Sequence, residues 1–269
     1  MSETRTWSGE TPVSRESRPR LWWEIAIVLG LSLGQSAVYS VITIVDRATQ
    51  STPLSQQKAE VNPSQSPREV FDFLYQVLGN LFPLFAVALV IYLLWQPQRS
   101  GFRRIGLDLT RPGRDLGGGV LLFLVIGVPG IMFYALGRVL GLTVTVEAST
   151  LSAHWWTVPV LILAALRAGL QEEVIVVGYL FTRLRQVGWG QGAWGKWTII
   201  LAAALLRGSY HLYQGFGPFV GNAIMGVVFG WCYTRWGRVM PLVISHTIID
   251  IVSFVGYPLA VALWPAIFA

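Results

Sequence analysis

The stretch AALRAGLQEEVIVVGYLFTRL, residues 164–184, decides what kind of molecule this is. It is apolar enough to sit in lipid, yet it carries Arg167, Glu172 and Glu173. Ionised groups at membrane depth are costly and by default mark a site, a relay or a structural pair. The same apolar texture runs outward through most of the chain. Of 269 residues, 53% are hydrophobic and only 13% charged, about half the roughly 25% charged share of an average soluble domain. Seven stretches reach the roughly 17 to 25 residues that a helix needs to cross a bilayer: 21–46, 70–96, 116–140, 156–181, 197–214, 218–236 and 239–257. The apolar piece at 258–269 is short for an eighth. The expected fold class is all-α, a polytopic membrane helical bundle with seven transmembrane helices, or eight if the last piece also spans.

The basic residues test that segmentation independently. Arg5, Arg15, Arg18 and Arg20 precede the first span, five arginines from Arg99 to Arg114 fill the second loop, and Arg183, Arg185, Lys196, Arg235 and Arg238 occupy the fourth and sixth loops. All these segments fall on one side, whereas the opposite side has only Arg47, Lys58 and Arg68. The positive-inside rule therefore predicts a multi-pass protein of the cell membrane with a cytoplasmic N-terminus. The net charge of +6 describes loops meeting anionic lipid, with no call for nucleic acid as a partner. The first apolar run is long and lacks a small-residue cleavage site, so it reads as a true span rather than a signal peptide. Residues 1–20 read as a disordered basic cytoplasmic tail and 47–69 as a solvated loop, because both are rich in Ser, Pro, Gln, Arg and Glu. That leaves 21–269 as a single membrane domain. Cys232, the one cysteine, excludes an internal disulfide or a cysteine metal cluster and reads as a packed apolar residue.

The chemistry concentrates in the C-terminal half. Arg167, Glu172, Glu173, Arg207, His211, His246 and Asp250 all lie inside the last four spans. Arg207 and His211 are four apart on the fifth, and His246 and Asp250 four apart on the seventh, so each pair shares a helix face. Glu172 and Glu173 diverge by about 100° on an α-helix, which lets only one of them point straight at a common centre. Counted at about 1.5 Å per residue from the flanking basic residues, the set lies roughly 12 to 22 Å deep, so the residues can converge. Buried Glu–Arg and His–Asp pairs can simply hold helices together. The full constellation exceeds that need, since apolar residues would join helices at lower desolvation cost. His154, beside Trp155 and Trp156, reads as an interface residue in an aromatic belt. The glycines of the fifth and sixth spans read as close-packing positions. YHLYQGFGPF, residues 210–219, is expected to form a polar lip through Tyr210, Tyr213 and Gln214.

An adjacent Glu-Glu on one span, a His on the next and a His-x-x-x-Asn/Asp on a later one resembles the CPBP family, the CAAX-protease and bacteriocin-processing intramembrane proteases also called the ABI family. The resemblance covers residues 156 to about 255. The family's EExxxR falls on Glu172, Glu173 and position 177, its FxxxH ends at His211, and its HxxxN/D is His246 with Asp250. Two positions depart: the motif arginine is Val177, and the aromatic that opens the second motif is Arg207. Arg207 is expected to supply the ion pair with Glu173 that the motif arginine would have made, with Arg167 as the other candidate.

The resemblance implies an intramembrane endopeptidase that cuts a membrane-associated protein or peptide with a glutamate-activated water. Glu172 would be the base, holding water jointly with His211, while His246 and Asp250 face the carbonyl oxygen. Glu173, Arg207 and Arg167 would be supporting residues. Asp250 stands where relatives carry Asn and cannot donate a hydrogen bond when ionised, so it is either protonated or orients His246; orientation is the favoured reading. Glu172, His211, His246 and Asp250 could also ligate Zn²⁺ as in a metalloprotease, although no HExxH is present and a metal-free mechanism is slightly preferred. A proton- or cation-coupled transporter and a non-catalytic membrane scaffold are the alternatives to a protease.

Overall fold

The structure, a computed structural model, describes residues 12–192 and 194–268. It is almost wholly helical. A bent pair, α1 (Arg18–Gly30) and α2 (Leu33–Thr49), is followed by α3 (Glu69–Leu81) and α4 (Leu84–Leu93), the short α5 (Gly101–Ile105) and the long α6 (Pro112–Val139). The C-terminal half consists of α7 (Thr157–Glu172), a π-helical segment (Glu173–Tyr179), α8 (Leu180–Gln186), α9 (Gly195–Ser209), α10 (Phe216–Trp236), α11 (Met240–Leu263) and α12 (Pro265–Phe268). The arrangement is turned inside out relative to a water-soluble bundle. Leu121, Leu124, Val125, Val128 and Met132 of α6 are exposed, while Asp72, Gln76, Arg207 and Glu173 are buried. An apolar exterior over a polar interior suits lipid rather than water.

Among the described residues, Glu69–Leu93, Pro112–Val139, Phe216–Trp236 and Met240–Leu263 are long and apolar enough to cross a membrane, and α1 with α2, bent by 60°, makes a fifth if counted as one span. Each of the seven expected segments is helical, but two do not reach full span character, for distinct reasons. α9 has 15 residues, about 22 Å at 1.5 Å per residue against a hydrocarbon core of about 30 Å. The rod from Thr157 to Gln186 is long enough but carries Arg167, Glu172, Glu173, Arg183 and Arg185. The apolar piece after 258 continues α11 through Pro258 to Leu263 before α12.

The expected disordered tail and the expected solvated loop both contain regular structure. Of the tail, residues 1–11 lie outside the described residues; Arg15–Ser17 form a 3-10 turn and α1 begins at Arg18. The 47–69 connection contains β1 (Lys58–Glu60), which pairs in parallel with β2 (Thr145–Glu147) in the register Ala59 to Val146. Ala59 is buried, and Asn62 Nδ2 donates to the Ala148 carbonyl at 2.8 Å. A three-residue strand is too short to leave an alternating pattern, so polar composition masks it.

At the end of the molecule rich in basic residues, Arg238 closes the turn between α10 and α11. Gly237 takes φ 62° there, a left-handed conformation that suits glycine. Arg238 Nε and Nη2 reach Asp115 at 2.8 and 2.6 Å, and Nη2 also reaches Asp108 Oδ1 at 2.9 Å. Arg183 Nε likewise ties α8 to Glu24 of α1 at 2.7 Å. These pairs pin the helices around the interior cluster.

Candidate active site

α7 ends at Glu172 and the chain then winds as a π-helix from Glu173 to Tyr179. Wider i→i+5 turns of this kind are found mostly where function demands them. The local unwinding lets both carboxylates reach one nitrogen: Arg207 Nη2 is 2.7 Å from Glu173 Oε1 and 3.3 Å from Glu172 Oε2. Arg207 comes from the last turn of α9, and Tyr210 and His211 follow directly. Gly226 lets α10 close on that turn, since a Cβ there would lie 2.9 Å from Ala204 Cα and 3.2 Å from Arg207 Cδ. α11 brings His246 and Asp250 one helical turn apart. It packs on α7 where Gly169 leaves room, a Cβ at 169 falling 2.6 Å from Thr247 Oγ1 and 3.1 Å from the Val243 carbonyl.

The inner part of the cluster is sealed. Glu173 and Arg207 side chains have 0% exposure, and the Arg207 guanidinium lies 5.3 Å from the Phe229 ring centroid, a cation–π distance. His246 Nδ1 is 2.7 Å from Glu173 Oε1 and 3.0 Å from Arg207 Nη2. Guanidinium has no acceptor and an ionised carboxylate has no donor, so the proton between His246 and Glu173 belongs on Nδ1. The approach to Arg207 is then a close contact between two donors, not a hydrogen bond. Glu173 therefore holds a proton at Nδ1 and fixes the ring plane of His246, leaving Nε2 to face outward. The expectation that Asp250 orients His246 differs from this geometry, because Asp250 Oδ2 is 3.6 Å from Nε2, beyond hydrogen-bond length.

The outer part is less enclosed: side-chain exposure rises from 0% at Glu173 to 11% at Glu172, 17% at Asp250 and 19% at His211. Glu172 Oε2 accepts a hydrogen bond from Tyr210 Oη at 2.8 Å and lies 3.9 Å from His211 Nε2. Both ring nitrogens of His211 are buried without a hydrogen-bond partner among the described residues. Buried polar atoms of this kind call for a partner such as water or substrate. Glu172 and His211 thus converge on a place where one small polar group can touch both.

Glu172, Glu173, Arg207, His246, His211 and Asp250 are brought together. Arg167 is not: its Nε faces Asn80 Oδ1 at 3.3 Å and its Nη1 faces Gln171 Oε1 at 3.4 Å. Val177 is buried in the apolar core. Of the expected lip, Tyr213 and Gln214 pair with each other at 2.7 Å, whereas Tyr210 turns inward to Glu172. Sequence reasoning missed Tyr210 as a site residue; its place next to His211 on a helix end was the available signal. It also left unread a stripe on α3, where Asp72, Gln76 and Asn80 follow at four-residue steps and are buried.

A metal can be tested against the donor set. Among the described residues, ligand atoms gather within 4.8 Å as Glu172, Glu173 and His246; the expected set of Glu172, His211, His246 and Asp250 does not form such a group. In the group that does form, Arg207 Nη2 stands 2.7, 3.3 and 3.0 Å from the three donor atoms. A zinc ion, bound at about 2.0 to 2.2 Å from the same atoms, would meet a cation already placed among them. His246 Nδ1 is moreover committed to Glu173. The residues present do not fit a metal in this arrangement.

Residues 154–252 match the family model described as type II CAAX prenyl endopeptidase Rce1-like. No curated protein and no solved structure matches the chain. The matched segment contains every member of the polar cluster, and at the level of the family it supports an intramembrane protease acting on a protein or peptide in a multi-pass membrane setting. Residues 154–252 of this chain are thus similar to the Rce1-like family model, which covers the cluster and less than half of the chain.

Proposed function

We propose that this protein is an intramembrane endopeptidase in which Glu172 activates water to hydrolyse a peptide bond of a membrane-associated protein or peptide. The observation that carries the reading is the meeting of Glu172 Oε2 with His211 Nε2 at 3.9 Å, with both His211 nitrogens lacking a hydrogen-bond partner among the described residues. Water held there gives a proton to Glu172 as its oxygen attacks the scissile carbonyl. The carbonyl π electrons move to its oxygen, and His246, as the imidazolium with a proton on each ring nitrogen, offers Nε2–H to that oxyanion while Nδ1–H stays on Glu173. Glu172 then returns its proton to the leaving amine as the C–N bond breaks. Arg207 neutralises one of the two adjacent carboxylates and leaves the other to serve as base. Asp250, one turn above His246, stands 3.6 Å from Nε2 and lends negative charge to that side of the cleft without a hydrogen bond.

The distribution of basic residues supports a cytoplasmic N-terminus. The matched family's description makes prenylated peptides the first substrates to try, with bacteriocin-type and unmodified membrane peptides beside them. Purified protein in nanodiscs is incubated with this panel, and Glu172→Ala and His211→Ala are compared with wild type. Loss of cleavage in both variants, each still folded, is expected. Cleavage that survives Glu172→Ala would rule the mechanism out, and ion flux lost in Glu172→Ala, without any peptide cleavage, would favour a transporter.

A further inference from the structure

The glutamate assigned as base is held by Tyr210, at an unspecified position of the family's second motif, and that residue is held in turn by the N-terminal half of the chain. Tyr210 is buried, and its hydroxyl donates to Glu172 Oε2 at 2.8 Å. Its ring stands 4.9 Å from the His211 ring, inclined at 45°. The backbone at Tyr210 has just left α9, with φ −80° and ψ 0°, where a helix leaves carbonyls without intrahelical partners. Its carbonyl is claimed by Ser40 Oγ of α2 at 3.0 Å, and Ser40 is buried. α2 lies outside residues 154–252, the segment that matches the family model.

We infer that Tyr210 is a positioning residue for Glu172, and that α2 sets its place through Ser40. The terminal torsion of a glutamate is broad and roughly two-fold, so an unsupported carboxylate presents either oxygen at many angles. Tyr210 and Arg207 both address Oε2, at 2.8 and 3.3 Å, whereas Oε1 has no hydrogen bond among the described residues. Anchoring one oxygen aims the carboxylate, and a base fixed in direction needs no reorganisation when water arrives. The N-terminal half thus takes part in the site by a chain of two hydrogen bonds, from Ser40 to the Tyr210 backbone and from Tyr210 to Glu172.

The inference rests on the proposed role of Glu172 and is tested so that the two can fail separately. The full chain in nanodiscs is assayed as wild type, Glu172→Gln, Tyr210→Phe, Ser40→Ala and the Tyr210→Phe/Ser40→Ala double variant. Tyr210→Phe is expected to lower kcat about tenfold or more, the scale of a hydrogen bond to a charged group, with KM changed less than twofold. Ser40→Ala is expected to lower kcat less, and to add little in the Tyr210→Phe background, because the two act through one contact. In infrared difference spectra, the carboxylate band that disappears in Glu172→Gln is expected to move in Tyr210→Phe, a readout that needs no substrate and that a purely structural tyrosine would not shift. An inactive Glu172→Gln together with Tyr210→Phe at the wild-type kcat overturns the positioning role alone. An active Glu172→Gln overturns the proposed base itself. A Glu172 band unmoved by Tyr210→Phe overturns the contact, and if Tyr210→Phe does not fold, a wild-type kcat in Ser40→Ala overturns the inference.

Discussion

Arg207 Nη2 and Glu173 Oε1 meet at 2.7 Å across two helices, and neither side chain has any exposure. Val177, where the resembled motif has its arginine, is packed in the apolar core. The cation that partners Glu173 here therefore comes from a different helix. Removing one member of a buried ion pair strands the other, at a cost of about 3 to 5 kcal/mol. Arg207→Phe is expected to lower stability by that amount, measured by thermal unfolding in detergent. Adding Val177→Arg should restore part of the loss; a double variant no better folded or more active than Arg207→Phe alone would refute the idea that one arginine substitutes for the other.

A guanidinium is a planar fork and an ammonium is a point charge. Arg207 lies close to Glu173, Glu172 and His246 at once, so Arg207→Lys is not a conservative change here. Activity in Arg207→Lys should fall at least tenfold while the folded fraction stays nearer wild type than in Arg207→Phe. Rates equal to wild type would mean that only the charge matters.

The same guanidinium bears on metal dependence. Because Arg207 Nη2 already lies within 3.3 Å of all three gathered donor atoms, a strong chelator should leave cleavage unchanged, and elemental analysis of purified protein should find far less than one equivalent of zinc. A stoichiometric metal whose removal stops cleavage and whose return restores it would contradict this.

Gly169 sets how closely α7 approaches α11. A methyl group there would press on Thr247 Oγ1, which can rotate, and on the Val243 carbonyl, which cannot without moving the helix. Gly169→Ala should cost about 1 to 3 kcal/mol, the usual scale of overpacking. It should also reduce kcat, because the helices that it separates carry Glu172 and His246.

Asp108, in the loop before α6, has its carboxyl held below the ordinary range. Burial pushes it up, but the Thr110 hydroxyl and backbone N–H, together with Arg238, outweigh that push. An acid depressed in the folded state adds stability that is fully present above its unfolded value and is lost as pH falls through the folded one. Unfolding midpoints are therefore expected to be flat from neutral pH to about 4 and to drop below that. Asp108→Asn should lower the neutral plateau and weaken the acid drop; an unchanged profile would show that Asp108 contributes nothing to stability.

How much of this was legible follows from the signals that each residue leaves. Apolar length and basic loops predict helical spans, and each expected segment is helical. Four-residue spacing puts His246 with Asp250 on α11, whereas the helix expected to carry Arg207 and His211 together ends at Ser209, so His211 reaches Glu172 from beyond it. Partner choice is harder to read. Arg167 faces Asn80 because of how α3 lies on α7, a relation between helices that spacing within one helix does not contain. Tyr210 reads from sequence as part of a polar lip, and only the end of α9 turns it inward. β1 and β2 find each other across more than eighty residues with three residues each, too little for periodicity to register.

The π-helical turn beginning at Glu173 has a consequence for how this stretch tolerates length change. A π turn differs from an α turn by one residue per hydrogen-bonded ring, so deleting a single residue between Val174 and Val177 could restore ordinary winding. It would also rotate one flank of the rod by about 100° relative to the other. Both glutamates lie on the N-terminal flank, so they would turn together relative to α8, and the sealed carboxylate and the open one would be carried away from their present partners or α8 from its own. This short piece of the chain should accept substitution of one aliphatic residue for another far more readily than the loss of any one of them.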